Sequence, residues 1–289
     1  MGDEVIEAPR SEEQRDAADR VQAPGTGRVE HRAGLRFTEV SHWFFQGDEA
    51  RRVVDNVSLS VPDKQFVALV GPSGCGKTTL LNMIAGLIQP TRGELAVAID
   101  GKATALPSTE VGYMWARDAL LPWRSLQRNV EFGLEVRRVP AKTRRARAAQ
   151  YIEMVGLAGA ERKFPGQLSQ GMRQRGNLAR LLATDPRFIL MDEPFAAVDA
   201  QTKLTLQQQF LDIRSSNPTT VVYVTHDLEE AALLSDRVVI MGRGHIAHDV
   251  TVPYGRPRVL AEFRFDPTFR EFAHHLWELL RDATKETGR

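Results

Sequence analysis

Phe66-Val67-Ala68-Leu69-Val70 runs without a break into Gly71-Pro72-Ser73-Gly74-Cys75-Gly76-Lys77-Thr78. Five consecutive apolar residues suit a central strand covered on both faces. The next eight have the spacing G-x-x-x-x-G-K-[ST], and a helical run, Thr79–Ala85, follows. Gly71, Gly74 and Gly76 let the backbone turn successive N–H groups inward. The helix that follows adds its positive end. In such a loop Lys77 places a point charge on the β and γ phosphates, and the Thr78 hydroxyl is a hard oxygen ligand for Mg²⁺. Pro72, Ser73, Cys75 and Thr79 complete the expected phosphate cradle. Cys75 is read as a small loop residue, not a nucleophile. By itself the motif specifies a nucleoside triphosphate and is shared by kinases, GTPases and ATPases.

Outward from this loop, further β-rich runs appear at Leu35–Val40, Val57–Val61, Leu95–Ile99, Val111–Trp115, Phe188–Met191, Val221–Val224 and Val238–Met241. Helical patterns alternate with the later ones. The expected class is α/β: a mostly parallel sheet, antiparallel pairing near the start, and a helical insertion. The insertion, placed at about residues 117–170, holds a basic stretch of Arg137, Arg138, Lys142, Arg144, Arg145 and Arg147. A solvated helix face is its plainer reading, and contact with anionic headgroups the alternative. The main domain is expected over about residues 35–250. An extension over 251–289 should hold a Pro-rich linker and an amphipathic helix with Phe269, Phe272, Leu276, Leu279 and Leu280 on one face.

Residues 1–34 contain no Phe, Trp or Tyr and are rich in Glu, Asp and Arg, which predicts a disordered arm. In the 289 residues, 38 basic against 37 acidic side chains leave a net charge of +1, so no global field draws the chain to nucleic acid. A single cysteine excludes an internal disulfide. No run reaches the roughly eighteen apolar residues that a membrane span needs. Met1–Arg10 is acidic and lacks an apolar signal core. The expected location is the cytoplasmic side of the cell membrane, reached through a partner.

A second site follows a second buried-strand pattern, Phe188-Ile189-Leu190-Met191, which ends in Asp192-Glu193-Pro194. Ligands gather at the carboxyl ends of strands in open α/β sheets. Asp192 is then placed to hold Mg²⁺, and Glu193 to reach the water that attacks the γ phosphate.

Between the two motifs stands Leu168-Ser169-Gln170-Gly171-Met172-Arg173-Gln174-Arg175. This resembles the signature of ATP-binding cassette (ABC) ATPases, and the other pieces then fall in order. Phe195-Ala196-Ala197-Val198-Asp199 is similar to their D-loop. His226, after Val221-Val222-Tyr223-Val224-Thr225, is similar to their switch histidine. Phe44 lies where the family stacks an aromatic on adenine, with Trp43 as the nearest competitor. The resemblance implies a P-loop NTPase core and an ATPase that pairs head to tail with a second cassette. Each of the two ATP molecules would lie on one phosphate loop and receive Ser169 and Gly171 from the partner. Glu193 and His226 would act at the γ phosphate, and Asp199 would lie at the seam.

Ala119-Leu120-Leu121-Pro122-Trp123-Arg124-Ser125-Leu126, with Asn129-Val130-Glu131-Phe132-Gly133-Leu134, is similar to importers of nitrate, sulfonate and taurine. That resemblance implies transmembrane permease subunits, with a groove near Leu120–Arg124 that receives them. It also implies an indirect link to a substrate-binding protein. One departure stands out. The family's Mg²⁺-ligating glutamine is replaced by Ala116, after Trp115. Water filling the gap and slower turnover are expected, with Asp118 as the alternative substitute. Two other readings compete: a non-transport cassette ATPase and a nucleotide-binding regulator with impaired hydrolysis.

Overall fold

A computed structural model of the chain describes residues 33–285 except 48, 117 and 118. The arm expected at the N-terminus lies outside the described residues, save that Ala33 and Gly34 already belong to the first strand. Asp118 also lies outside them.

Two sheets form the body. The smaller is antiparallel, in the order β2 (Glu49–Pro62), β1 (Ala33–Gln46), β4 (Arg92–Ile99), β5 (Lys102–Ala103). The larger has the order β10 (Ile246–Thr251), β9 (Arg237–Met241), β3 (Phe66–Val70), β8 (Thr220–Val224), β7 (Phe188–Asp192), β6 (Val111–Met114). It is parallel throughout except for the β9–β10 pair.

Alternation along the central strands builds two cores. Phe66, Ala68 and Val70 enter one cluster with Ile189, Met191, Val221 and Tyr223. Val67 and Leu69 enter the other with Leu190, Val222 and Val224. The first core is closed by α4 (Gln170–Ala183), α5 (Ala200–Ser216), α6 (Leu228–Leu234) and α8 (Pro267–Lys285). The second is closed by α1 (Lys77–Ile84) and the antiparallel sheet. Every residue of β3, β7 and β8 is buried, including Asp192 at the end of β7 and Thr220 at the start of β8.

The helical insertion consists of α2 (Leu126–Val136) and α3 (Ala141–Met154), and both pack against α4. It therefore shares its core with the signature helix and does not stop at residue 170. The basic stretch is partly structural. Arg137 donates to the carbonyl oxygens of Thr184 and Thr109, Arg144 pairs with Glu131, and Arg147 pairs with Asp185.

One strand outside the expected runs, β10, continues the sheet to Thr251, where the extension begins. Beyond it, a short helix α7 (Leu260–Phe263) precedes α8. Phe269 and Leu276 of α8 are buried, and Phe272, Leu279 and Leu280 pack beside them, so the expected apolar face is the docked one. Arg258 fastens this tail by donating to the carbonyls of Ala232, Leu233 and Ser235 at the end of α6. No helix among the described residues is long and apolar enough to cross a membrane.

Candidate functional site

The loop 71–76 joins β3 to α1 at the carboxyl edge of the parallel sheet. Gly76 is the residue before the helix and has φ +103°, a region that L side chains rarely enter. A Cβ there would lie 2.7 Å from the Val53 carbonyl oxygen of β2, so backbone conformation and close approach both require glycine. No side chain caps α1, and its first turn holds no acid. Its leading N–H groups are thus free to meet an anion. Lys77 Nζ lies across the loop and donates to the Gly71 and Pro72 carbonyl oxygens, each at 2.8 Å. Its sulfur neighbour Cys75 is buried at 3.5 Å. Pro72 is half-buried and Ser73 exposed in the loop, while Gly74 has φ +78° with open space around its Cα. Thr79 is buried in the first turn of α1.

At the end of β7, two strands away, Asp192 Oδ2 accepts a hydrogen bond from Thr78 Oγ1 at 3.0 Å. Burial pushes the Asp192 carboxyl above its ordinary range. The Thr78 bond and the Lys77 charge oppose that shift, and the Glu193 charge adds to it. A hard cation beside this hydroxyl and carboxylate would offset the cost of the buried charge. The pair therefore fits Mg²⁺, which takes few protein oxygens and keeps several waters.

Glu193 sits in the left-handed region at φ +46°. Its N–H is held by the Val224 carbonyl at 2.9 Å. Such a conformation costs a non-glycine residue about 1–3 kcal/mol and tends to persist where the surroundings over-determine it. The turn carries Oε1 to 3.1 Å from His226 Nδ1.

His226 is followed by a tightly tied helix start. Asp227 caps α6 by accepting from the Glu230 N–H, and Thr225 Oγ1 donates to Glu230 Oε2. Lys203 reaches Asp227 and Glu230 at 3.1 and 3.2 Å, and Gln207 donates to Glu230. Burial would raise the Asp227 carboxyl, but the Glu230 N–H and Lys203 outweigh it and hold it below its ordinary range. Sequence reading missed Lys203, Gln207 and Glu230. Lys203 and Gln207 lie one turn apart on α5 and Glu230 on α6, and no motif in the sequence joins the two helices.

The signature lies elsewhere. Ser169 caps α4 by accepting from the Met172 N–H at 3.3 Å, so the helix begins inside the signature. Gly171 occupies its first turn, where a Cβ would rest 3.6 Å from the Ala197 carbonyl oxygen. Gln174, also missed, is buried and donates to the Pro194 carbonyl at 2.7 Å, linking this helix to the acidic turn. Among the described residues no hydrogen bond joins Ser169 or Gly171 to the loop 71–78. Asp199 is exposed and caps α5 through the Thr202 N–H, which holds its carboxyl below the ordinary range.

Phe44 is 48 % exposed on β1, edge-on to His42 at 4.8 Å, and pairs across the ladder with Arg51. Trp43 is half-buried with the Arg92 guanidinium over its ring at 5.5 Å, which leaves Phe44 the more available face. Ala116 is exposed just past β6, and the preceding Trp115 stacks on Tyr113 at 4.0 Å. Next to it lies a cavity of about 160 Å³ bounded by β6, α2 and α4. Leu120 is buried and Trp123 is 71 % exposed. The intervening loop is held by Asn129, and Arg124 lies over Phe132 and pairs with Glu135.

Comparison with known proteins agrees with this geometry. Residues 54–196 match the family model described as ABC transporter. An uncharacterised ABC transporter ATP-binding protein of Methanocaldococcus jannaschii is 44 % identical over 240 residues, covering 82 % of this chain and 87 % of that protein. The taurine import ATP-binding protein TauB of Yersinia pestis is 40 % identical over 231 residues, covering 78 % and 89 %. Among solved structures, a dimeric ATP-binding cassette in a post-hydrolysis state with ADP and Pi superposes with a TM-score of 0.70. It is 30 % identical, and the match covers 76 % of this chain and all of that one.

Proposed function

This chain belongs to the ABC transporter family as an ATP-hydrolysing cassette, and on that footing we propose that it powers import of a small anion through a separate permease. The loop 71–78 and the start of α1 hold the phosphates, and Phe44 stacks on the base. Thr78 and Asp192 hold Mg²⁺, which when bound neutralises charge on the phosphate oxygens. Glu193 polarises the attacking water, and His226 is oriented by it toward the γ phosphate. Ser169 and Gly171 serve the ATP of a second cassette, with Asp199 at the seam. The permease seats beside Leu120–Arg124 and holds the cassette on the cytoplasmic face of the membrane, and a substrate-binding protein acts at one remove.

The observation that carries the hydrolytic part is the pairing of Glu193 with His226 at 3.1 Å beside the Thr78–Asp192 pair. Phosphate release by the purified chain, beside Glu193→Gln, tests it. Removing a general base typically costs about a hundredfold or more. Equal background rates in both proteins would end the reading. The anion part is supported by the taurine-import relative. It is tested by uptake of taurine, alkanesulfonates and nitrate in cells with and without the chain. Unchanged uptake of all three would overturn it. Ala116 leaves the magnesium shell short of a side-chain oxygen, so Ala116→Gln should raise phosphate release. A rate equal to the parent's would refute that role.

A further inference from the structure

Phe44, the ring assigned to the base, stands beyond the body of its sheet. The β1–β4 ladder ends at the pair Ser41–Arg92. Past it, Trp43, Phe44, Phe45 and Gln46 pair only with Arg52, Arg51, Ala50 and Glu49, at the end of the β1–β2 hairpin. A two-stranded ribbon is marginal by itself in water. Phe44 is exposed there and has no third strand beside it. A ring in that position binds a base well only if its angle is fixed in advance, because ordering it on binding subtracts from affinity.

His42 supplies the support. It lies two residues before Phe44 on the same strand, and the two rings meet edge to face, with centroids 4.8 Å apart and planes at 84°. His42 Nδ1 shares a hydrogen bond with Thr91 Oγ1 at 3.1 Å. Thr91 Oγ1 also accepts from the Trp43 N–H at 3.4 Å, and the Thr91 N–H donates to the Ser41 carbonyl oxygen at 3.0 Å. Burial holds the imidazole below its ordinary value, against a hydrogen bond with the Gln89 backbone, so the ring is neutral at pH 7. Gln89 and Thr91 belong to the segment that joins α1 to β4. The imidazole thus ties the outer part of β1 to the chain leaving the phosphate-binding helix.

We propose that His42, braced by Thr91, is the positioning residue that holds Phe44 at its stacking angle and fixes the spacing between base and phosphate loop. It acts through Phe44. The inference rests on reading Phe44 as the base platform, and it adds the residues that make the platform rigid.

The test uses the full chain, with phosphate release for kcat and KM and calorimetry for binding of ATP and of tripolyphosphate, which has no base. His42→Ala should raise the KM for ATP about three- to tenfold. Its kcat at saturating ATP should stay within about twofold of the parent's, and its affinity for tripolyphosphate should not change. Thr91→Val keeps the shape, loses the hydroxyl, and should weaken ATP binding in the same direction by a smaller factor. Phe44→Ala should lose at least as much as His42→Ala, and adding His42→Ala to it should cost nothing further. A Phe44→Ala chain that binds ATP like the parent overturns the platform reading, and the positioning role with it. A weakened Phe44→Ala beside a His42→Ala that matches the parent, or effects of the two that multiply, overturns the positioning role and leaves the platform standing. Equal losses of ATP and tripolyphosphate in His42→Ala also overturn it, since the phosphate loop itself would then be disturbed. If His42→Ala does not fold, Thr91→Val decides by the same measures: weaker ATP with unchanged tripolyphosphate supports the brace, and any other result refutes it.

Discussion

Asn129→Ala should be among the most damaging single changes outside the nucleotide site. The Asn129 Oδ1 accepts from the Leu121 N–H at 2.7 Å. Its Nδ2 donates to the carbonyls of Leu121, Arg124 and Ser125 at 3.1, 2.9 and 3.1 Å. At about 1 kcal/mol net per bond, the four bonds predict a loss of about 3–4 kcal/mol. For a domain of this size that is a fall of roughly 6–16 °C in melting temperature. Asn129→Asp separates hydrogen bonding from shape. It retains the acceptor for Leu121, but it faces three carbonyls with a carboxylate oxygen and should cost at least as much as alanine. Thermal melts give the size of the effect. Hydrogen exchange gives its place: the Leu121 amide should exchange faster, while Val67–Val70 stay protected. An Asn129→Asp chain within about 1 kcal/mol of the parent would refute the reasoning, since packing alone would then explain the site.

Two further predictions concern the phosphate and metal positions. Burial raises the Asp192 carboxyl in the folded chain. A carboxyl with a higher folded value binds its proton more tightly when native, so its contribution is present at low pH and lost as pH rises through that value. Asp192→Asn should therefore melt with the parent at about pH 2.5, more than a unit below the ordinary aspartate value of about 3.9, and above the parent at pH 7; a lower melting point at pH 7 would contradict the argument. Gly76→Ala forces a Cβ to 2.7 Å from the Val53 carbonyl oxygen at φ +103°. By calorimetry it should lose ATP affinity tenfold or more and about 1–3 kcal/mol of stability. Gly166→Ala, at a residue with open space around it, should do neither, and equal effects at the two positions would sink the steric account.

The parts of this fold legible in the sequence are those made by short-range pattern. Phe66–Val70 is read to the residue because both faces of that strand are covered and nothing polar interrupts it. The phosphate loop and the acidic turn are legible because their chemistry is written in adjacent residues. β10 escaped because Ile246-Ala247-His248-Asp249-Val250-Thr251 is a half-exposed edge strand whose His and Asp tolerate solvent. The start of α4 is fixed by the signature serine, which is itself the cap. Gln174, Lys203, Gln207 and Glu230 were not legible, since their partners lie on other elements and only the folded chain brings them together.

The account turns on ATP held between two cassettes, each offering its phosphate loop to one nucleotide and its Ser169–Gly171 helix start to the other. Sedimentation of the Glu193→Gln chain with saturating Mg²⁺ and ATP measures this directly. The predicted result is a nucleotide-dependent dimer that Ser169→Arg abolishes. A chain that stays monomeric with ATP bound, alone and with its permease, would contradict it.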